Sequence, residues 1–323
     1  MSKNIGIDLG GTNIKGAVVD GETGTILIMQ SVPTEAQEGH DKVIARIIRL
    51  CKNLVSSAGL KMEDINGIGI GLPGAINAKT GTSVFMTNLP DHWVNVPVCD
   101  MVTKGTGKPA FLINDVNSIT WGEQVFGAGK GTDNMVCFAL GTGIGGGLVI
   151  NGQLILGRTG VAGELGHMIV QPHGNRCNCG AHGCLETYAS GPAIRSMALK
   201  AVAHGGTTIL GEMVDYDLNK ITPKTVSDAA LHGDEMAQEI YQTAGYYLGI
   251  AVANAITILE PDMVIIAGGV AAAGELLMKP VRDYVYNNVH VTPLEGIQIV
   301  TGELGNDAGI YGASMWAEYN LRQ

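Results

Sequence analysis

Aromatic residues are scarce in this chain, 5% of 323 positions, and charged residues make up only 15%. With 46% hydrophobic residues beside so little charge, a disordered chain is excluded and complete folding is expected. Basic residues are the minority sign: 20 Lys and Arg face 30 Asp and Glu, a formal charge of -10. That balance argues against a broad footprint for nucleic acid or an anionic membrane. No apolar run is long enough to cross a bilayer, since the most apolar stretch, 246–259, stops at Glu260-Pro261-Asp262 and reads as a buried helix. The opening Met1-Ser2-Lys3-Asn4 lacks the apolar region of a signal peptide, and no disulfide framework is evident, because Cys51, Cys99 and Cys137 stand singly in apolar segments. A reducing cytoplasm is the expected location. Low-complexity linkers are absent too.

What the chain has in excess is glycine, 47 residues, which calls for tight turns or close backbone approaches. Its length exceeds one ordinary hydrophobic core and predicts two domains. Residues 5–20 read as a strand hairpin with its tip near Gly10 and Gly11, and 25–32 as a third strand. Helical spacing of Val43, Ile44, Ile47, Ile48, Leu50, Leu54 and Val55 predicts a helix over 41–55 with Gly59 as its stop. Strands follow at 65–71 and 109–114, then a helix over 118–126. Further on come a helix over 244–259, a strand over 263–267, and helices near 274–287 and 307–319. This alternation predicts an α/β fold. The first hairpin recurs 131 positions later, with Leu9, Gly10, Gly16, Val18 and Gly21 matching Leu140, Gly141, Gly147, Val149 and Gly152. Taken as a repeat, it predicts two similar α/β domains, each opening on a strand, glycine turn and strand.

The glycines at hairpin tips let backbone N–H groups approach an anion. DLGGTNIK at 8–15 suits phosphate, with Asp8 able to hold Mg²⁺ through water, although a glycine hairpin also serves as a plain turn. It is neither a Walker loop nor GxGxxG. LGTGIGGG at 140–147 packs five glycines into one turn, at an entropic cost that phosphate contact explains. AGGV at 267–270 could lay Gly268 and Gly269 against an adenine. Cys177, Cys179 and Cys184 share one polar loop ten residues after His167, a donor set for a structural, tetrahedral Zn²⁺; His173 and His182 compete for the fourth position. Asp115 ends a buried strand, where α/β proteins place functional groups, and reads equally as a catalytic base or as a helix cap. Glu164 and Glu186 are further carboxylates beside the zinc segment.

Together with GLPGAI at 71–76, Asn88-Leu89, IND at 113–115, GELGHM at 163–168 and CNCGAHGCLE at 177–186, these motifs resemble the ROK family of sugar kinases and repressors over essentially the whole chain, and bacterial ROK glucokinases most. The resemblance implies a two-lobed actin-like ATPase (ribonuclease H-like) α/β fold. One lobe would be 1–117 rejoined by 306–323, the other 118–305 with the zinc loop and a dimerisation surface. It implies ATP with Mg²⁺, a hexose substrate, structural zinc on His167, Cys177, Cys179 and Cys184, and a homodimer. Asp115 becomes the base, Gly74, Asn88, Asn114, Asp115, Glu164, His167 and Glu186 the sugar contacts, and Asp8, Gly10, Gly11, Thr12, Asn13, Lys15, Gly141, Thr142, Gly143, Gly268 and Gly269 the ATP contacts. His167 would serve both metal and sugar. Val116 after the base and the spacing of Trp93 in NLPDHW depart from the pattern beside the sugar. Glucose is favoured over N-acetylmannosamine, N-acetylglucosamine, allose or fructose. A sugar-responsive regulator is the reading from another class; its helix-turn-helix would precede the first hairpin, which here begins at Asp8.

Overall fold

The computed structural model describes residues 2–86, 89–90 and 92–323. Strands β1 (Lys3–Leu9), β2 (Asn13–Asp20) and β3 (Ile26–Pro33) form an antiparallel meander. Helix α1 (His40–Ser57), strand β4 (Gly67–Leu72), the small hairpin β5 (Ala75–Asn77) and β6 (Thr82–Phe85), helix α2 (Val98–Thr106), strand β7 (Ala110–Asn114) and helix α3 (Asp115–Val125) follow. The chain continues through β8 (Met135–Leu140), β9 (Ile144–Ile150) and β10 (Gln153–Leu154), then α4 (Glu186–Ala189), α5 (Gly191–Ala203), α6 (Leu210–Met213), α7 (Pro223–Leu231) and α8 (Glu235–Leu259). It closes with β11 (Met263–Ala267), α9 (Glu275–Asn288), β12 (Gln298–Thr301) and α10 (Ala308–Leu321). Two compact units result: Met1–Gly131 with Leu148–Ala162 and Asn306–Gln323, and Thr132–Gly147 with Gly163–Gly305. The division drawn from the sequence at 117/118 would cut α3, which lies wholly in the first unit.

In the first unit the sheet order is β3-β2-β1-β4-β7, with β1, β4 and β7 parallel. Period-two alternation assigns its faces. Ile5, Ile7 and Leu9 of β1 and Ile68, Ile70 and Leu72 of β4 are buried in one cluster with Val43, Ile44, Ile47, Leu50 and Leu54 of α1. The alternate positions of β4 are all glycine: α10 packs on Gly67 and Gly69, and Gly71 faces Ser118 of α3. A Cβ on Gly69 would lie 1.6 Å from the Ala313 carbonyl oxygen, and one on Gly312 of α10 would lie 1.6 Å from the Ser118 oxygen of α3. Helix α10 therefore touches β4 and α3 backbone to backbone. Trp121 and Trp316 close the same layer edge to face at 6.3 Å.

In the second unit β8, β11 and β12 are parallel and fully apolar at their centre, with Phe138, Val264, Ile265 and Ile266 buried. The order running out from them is β10-β9-β8-β11-β12, and β10 pairs with the end of β9 that belongs to the first unit. Each strand matches one of β3-β2-β1-β4-β7 in position. The repeat read from two hairpins thus extends to whole sheets.

Two helices begin earlier than their apolar patterns indicate. Helix α3 starts at Asp115, not near 118, because the Asn114 side chain accepts from the N–H groups of Val116 and Asn117 and caps it. Helix α8 starts at Glu235, capped by Asp234 accepting from Ala237 N at 2.8 Å, ahead of the apolar stretch at 244. Gly69→Ala is expected to cost about 3 kcal/mol or more by forcing α10 off β4. Gly107→Ala, at φ 76° in open space, should cost only about 1 kcal/mol; equal midpoints for the two variants in urea denaturation would refute this account of the helix packing.

Candidate active site

The parallel strands β1, β4 and β7 point their carboxyl ends the same way, the edge where open α/β sheets gather ligands. Asp8 sits near the end of β1 and pairs in register with Gly71 of β4; Asp115 follows directly after β7. Because Asn114 caps α3, the Asp115 carboxylate is not needed for that task. Burial pushes Asp115 up to about 6, opposed by the Val116 N–H and reinforced by the like charge of Asp8. Burial also raises Asp8, with Lys15 across the β1–β2 ladder pulling it partly back. Asp8 lies against Gly309 at the first turn of α10: a Cβ there would be 3.5 Å from its Cγ. Two close, desolvated carboxylates form a donor set whose repulsion a divalent cation offsets.

Asn114 does more than cap. Its Nδ2 donates to the Gly74 carbonyl oxygen at 3.2 Å, holding the loop before β5 to the head of α3. Gly74 has φ 83°, and a Cβ there would come within 2.5 Å of the Phe85 carbonyl oxygen, so this loop accepts only glycine. The first glycine tip is fastened from behind by fully buried Thr34, whose hydroxyl donates to Gly10 O at 2.7 Å while its N–H donates to Thr12 O at 2.8 Å. Gly11, Thr12 and Asn13 stay exposed, as a ligand-facing tip requires.

In the second unit the Gly141–Gly143 turn is tied to the head of α5 by Gly191 N donating to Gly141 O at 2.9 Å. Gly268, at φ 85°, packs on the backbone of Leu140, so the 268–269 turn and the 141–143 turn lie side by side. Close by, one ligand atom each from His167, Cys177, Cys179 and Cys184 lies within 4.8 Å of the others. Cys179 Sγ is 3.6 Å from Cys184 Sγ, and Cys177 Sγ is 3.7 Å from His167 Nδ1. These separations match the edges, about 3.8 Å, of a tetrahedron with metal–sulfur bonds of about 2.3 Å. Burial pushes the Cys184 thiol up to about 12, whereas the Ala181 N–H and the neighbouring sulfurs hold exposed Cys179 below its ordinary value. A metal cation bound by this group would allow all three sulfurs to be thiolates at once. His173 and His182, candidates for the fourth position, are not in this group among the described residues.

A family model described as the ROK family matches residues 4–320. The chain belongs to the ROK family. It is 41% identical over 312 residues to a glucokinase of Thermotoga maritima, covering 97% of this chain and 96% of that one. A glucokinase of Halalkalibacterium halodurans is 37% identical, with 95% and 92% covered. Among solved structures, a ROK family glucokinase from Streptomyces griseus, in complex with glucose and AMPPNP, is similar at a TM-score of 0.83 and 34% identity, over 98% of this chain and 100% of that one. The fold is thus the actin-like ATPase fold of ROK sugar kinases.

Within each unit of this ROK chain the expected residues assemble. The first brings together Asp8, Lys15, Gly74, Asn114 and Asp115; the second brings together Gly141, Gly143, Gly268, His167, the three cysteines and Glu186. Glu164 is exposed, its carbonyl accepting from His167 N at 3.0 Å. Asn88 lies outside the described residues. Sequence reading missed Thr34, Gly309 and the anchoring role of Asn114. The adjacency of Asn114 to Asp115 was a local cue, whereas Thr34 and Gly309 act across long separations.

The Asp115 shift has a signed consequence for stability. With a folded value near 6 against about 3.9 unfolded, the ionised side chain disfavours the fold above pH 6, and the penalty vanishes below about pH 4. Asp115→Asn is therefore expected to melt above wild type at pH 7.5 and to converge with it at pH 4. A melting difference independent of pH would contradict the desolvation of this carboxylate.

Proposed function

We propose that this ROK chain transfers the γ-phosphate of ATP to the 6-hydroxyl of glucose, with Asp115 as general base. The observation that carries the assignment is a buried carboxylate raised to about 6 at the carboxyl edge of the parallel sheet, beside a helix cap whose Asn114 side chain accepts from both Val116 and Asn117 while Asp115 shares only the Val116 N–H. That value lets Asp115 be ionised at neutral pH yet basic enough to accept a proton. As the hydroxyl oxygen forms its bond to the γ-phosphorus, the proton passes to the Asp115 carboxylate, the bond from γ-phosphorus to the bridging oxygen breaks, and ADP leaves.

The remaining groups position and neutralise. Carried over from the family resemblance, Gly74 and Asn114 of the first unit and Glu164, His167 and Glu186 of the second are the proposed sugar contacts. Gly10, Gly11, Thr12, Asn13 and Lys15, the 141–143 turn and the 268–269 turn receive the nucleotide through backbone donors and one ammonium. Asp8 holds Mg²⁺ of the nucleotide through water. Zinc on His167, Cys177, Cys179 and Cys184 would be structural, since three thiolates and an imidazole fill its shell. His167 turns Nδ1 toward the sulfurs, which leaves Nε2 for a sugar hydroxyl. The protein acts in the cytoplasm as a homodimer, a reading supported by Cys177, Cys179 and Cys184 gathered with His167 as a donor set for a metal, and by Tyr246 and Ile258 exposed along α8. No helix among the described residues is long and apolar enough to cross a membrane.

Coupled ADP-release assays with ATP over glucose, mannose, fructose, allose, N-acetylglucosamine and N-acetylmannosamine should give the highest kcat/KM for glucose; a higher value for an N-acetylated sugar would overturn the substrate assignment. Asp115→Asn should lower kcat by about 10²–10⁴ while leaving glucose and ATP affinity near wild type. Wild-type kcat/KM should fall with a slope of one proton as pH drops through about 6. A profile flat from pH 7.5 down to pH 5 would rule out Asp115 as the base.

A further inference from the structure

Glu186 opens α4 immediately beyond the cysteine loop, yet its side chain reaches the glycine turn that follows β8. Its Oε2 accepts from Ile144 N at 3.0 Å, and a Cβ on Gly143 would stand 2.4 Å from the same oxygen. Its other oxygen, Oε1, lies 4.0 Å from Cys177 Sγ. One carboxylate thus spans from a metal ligand to the backbone of the 141–144 turn. A second connection runs in parallel. The segment 163–166 leading into His167 lies on the strand that leaves this turn, backbone against backbone. A Cβ on Gly166 would be 1.9 Å from Ile144 O, and one on Gly146 would be 2.6 Å from Gly163 O. All these residues belong to the second unit. The hydrogen bond from Ile144 N is charge-assisted, the stronger class, and holds the turn at the residue where β9 begins.

We propose that Glu186 is a positioning residue that couples the His167–Cys177–Cys179–Cys184 metal site to the 141–144 turn, so that metal occupancy sets nucleotide affinity even when no sugar is bound. This rests on reading the turn as a nucleotide site. With the metal in place, the cysteine loop fixes the base of α4, and Glu186 keeps the Ile144 N–H engaged and the glycine turn in one conformation. Without it, the loop loosens and the turn must be ordered by the nucleotide itself, which weakens binding.

The test measures binding of Mg²⁺–AMPPNP by calorimetry in the absence of sugar. Wild-type protein carrying zinc is compared with protein stripped by a chelator and with stripped protein given zinc back. Stripping should weaken AMPPNP about 10-fold, reversibly, and should speed amide exchange at Ile144. Glu186→Ala should weaken it about as much, and stripping that variant should add little. Glu186→Gln, which keeps an acceptor for Ile144 N–H, should restore AMPPNP affinity to within about 2-fold while glucose affinity stays reduced. Independent, multiplicative losses from stripping and from Glu186→Ala would overturn the coupling, as would unchanged AMPPNP affinity in stripped wild-type protein, a measurement that requires no variant to fold. Gly141→Val separates the underlying reading, because a Cβ there would have no atom within 4 Å. If Gly141→Val binds AMPPNP normally, the nucleotide turn itself is misassigned. If it abolishes binding while Glu186→Ala does not weaken it, only the coupling fails.

Discussion

Backbone packed directly on backbone, with no side chain between, is the constraint on which both units depend. In the first, α10 can reach β4 and α3 only because Gly69 and Gly312 carry no Cβ. In the second, the segment ahead of His167 lies on the outgoing strand of the 140–147 loop because Gly166 and Gly146 are bare. Such contacts bring functional groups within reach of each other without long side chains, and they leave little freedom to shift. This accounts for much of the glycine excess that a count of turns and phosphate loops leaves unexplained, and it suits a chain with few aromatics to fill wider gaps.

Placing Asp115 follows from that packing. Helix α3 is held by α10, and its first residue is delivered to the sheet edge beside Asp8. Asn114 takes the capping work and, through Gly74, fixes the neighbouring loop. A short polar side chain one residue before the candidate base thereby supplies the N-cap, so the position of Asp115 does not depend on its own side chain capping the helix. Burial and the like charge of Asp8 then raise Asp115 into the range useful for proton transfer near neutral pH. Burial is the larger of the two effects, and both act on one carboxylate at the sheet edge.

The metal group and the glycine loops show what kind of information was legible in the chain. Cys177, Cys179 and Cys184 fall on one loop, so spacing alone brings their sulfurs together, and His167 was within reach. The 131-residue repeat was visible in five matched positions, though only the strand order shows that whole sheets share it. Family motifs along the chain extended this to the fold. Helix starts were less legible, since caps at Asn114 and Asp234 carry α3 and α8 beyond their apolar patterns.

The sequence by itself determined the α/β class, the two glycine hairpins, the three cysteines of the candidate metal group and the carboxylates available as base, because these depend on periodicity, local spacing and residue chemistry. Only the tertiary structure decided that Asn114 and not Asp115 caps α3, that Thr34 secures the first glycine tip, that Gly309 lies against Asp8, and that Glu186 reaches Ile144. Apart from the cap, these contacts join residues more than twenty positions apart. Hydrogen-bond partners, burial and like-charge repulsion at such separations are set by how elements pack, and no local pattern encodes them.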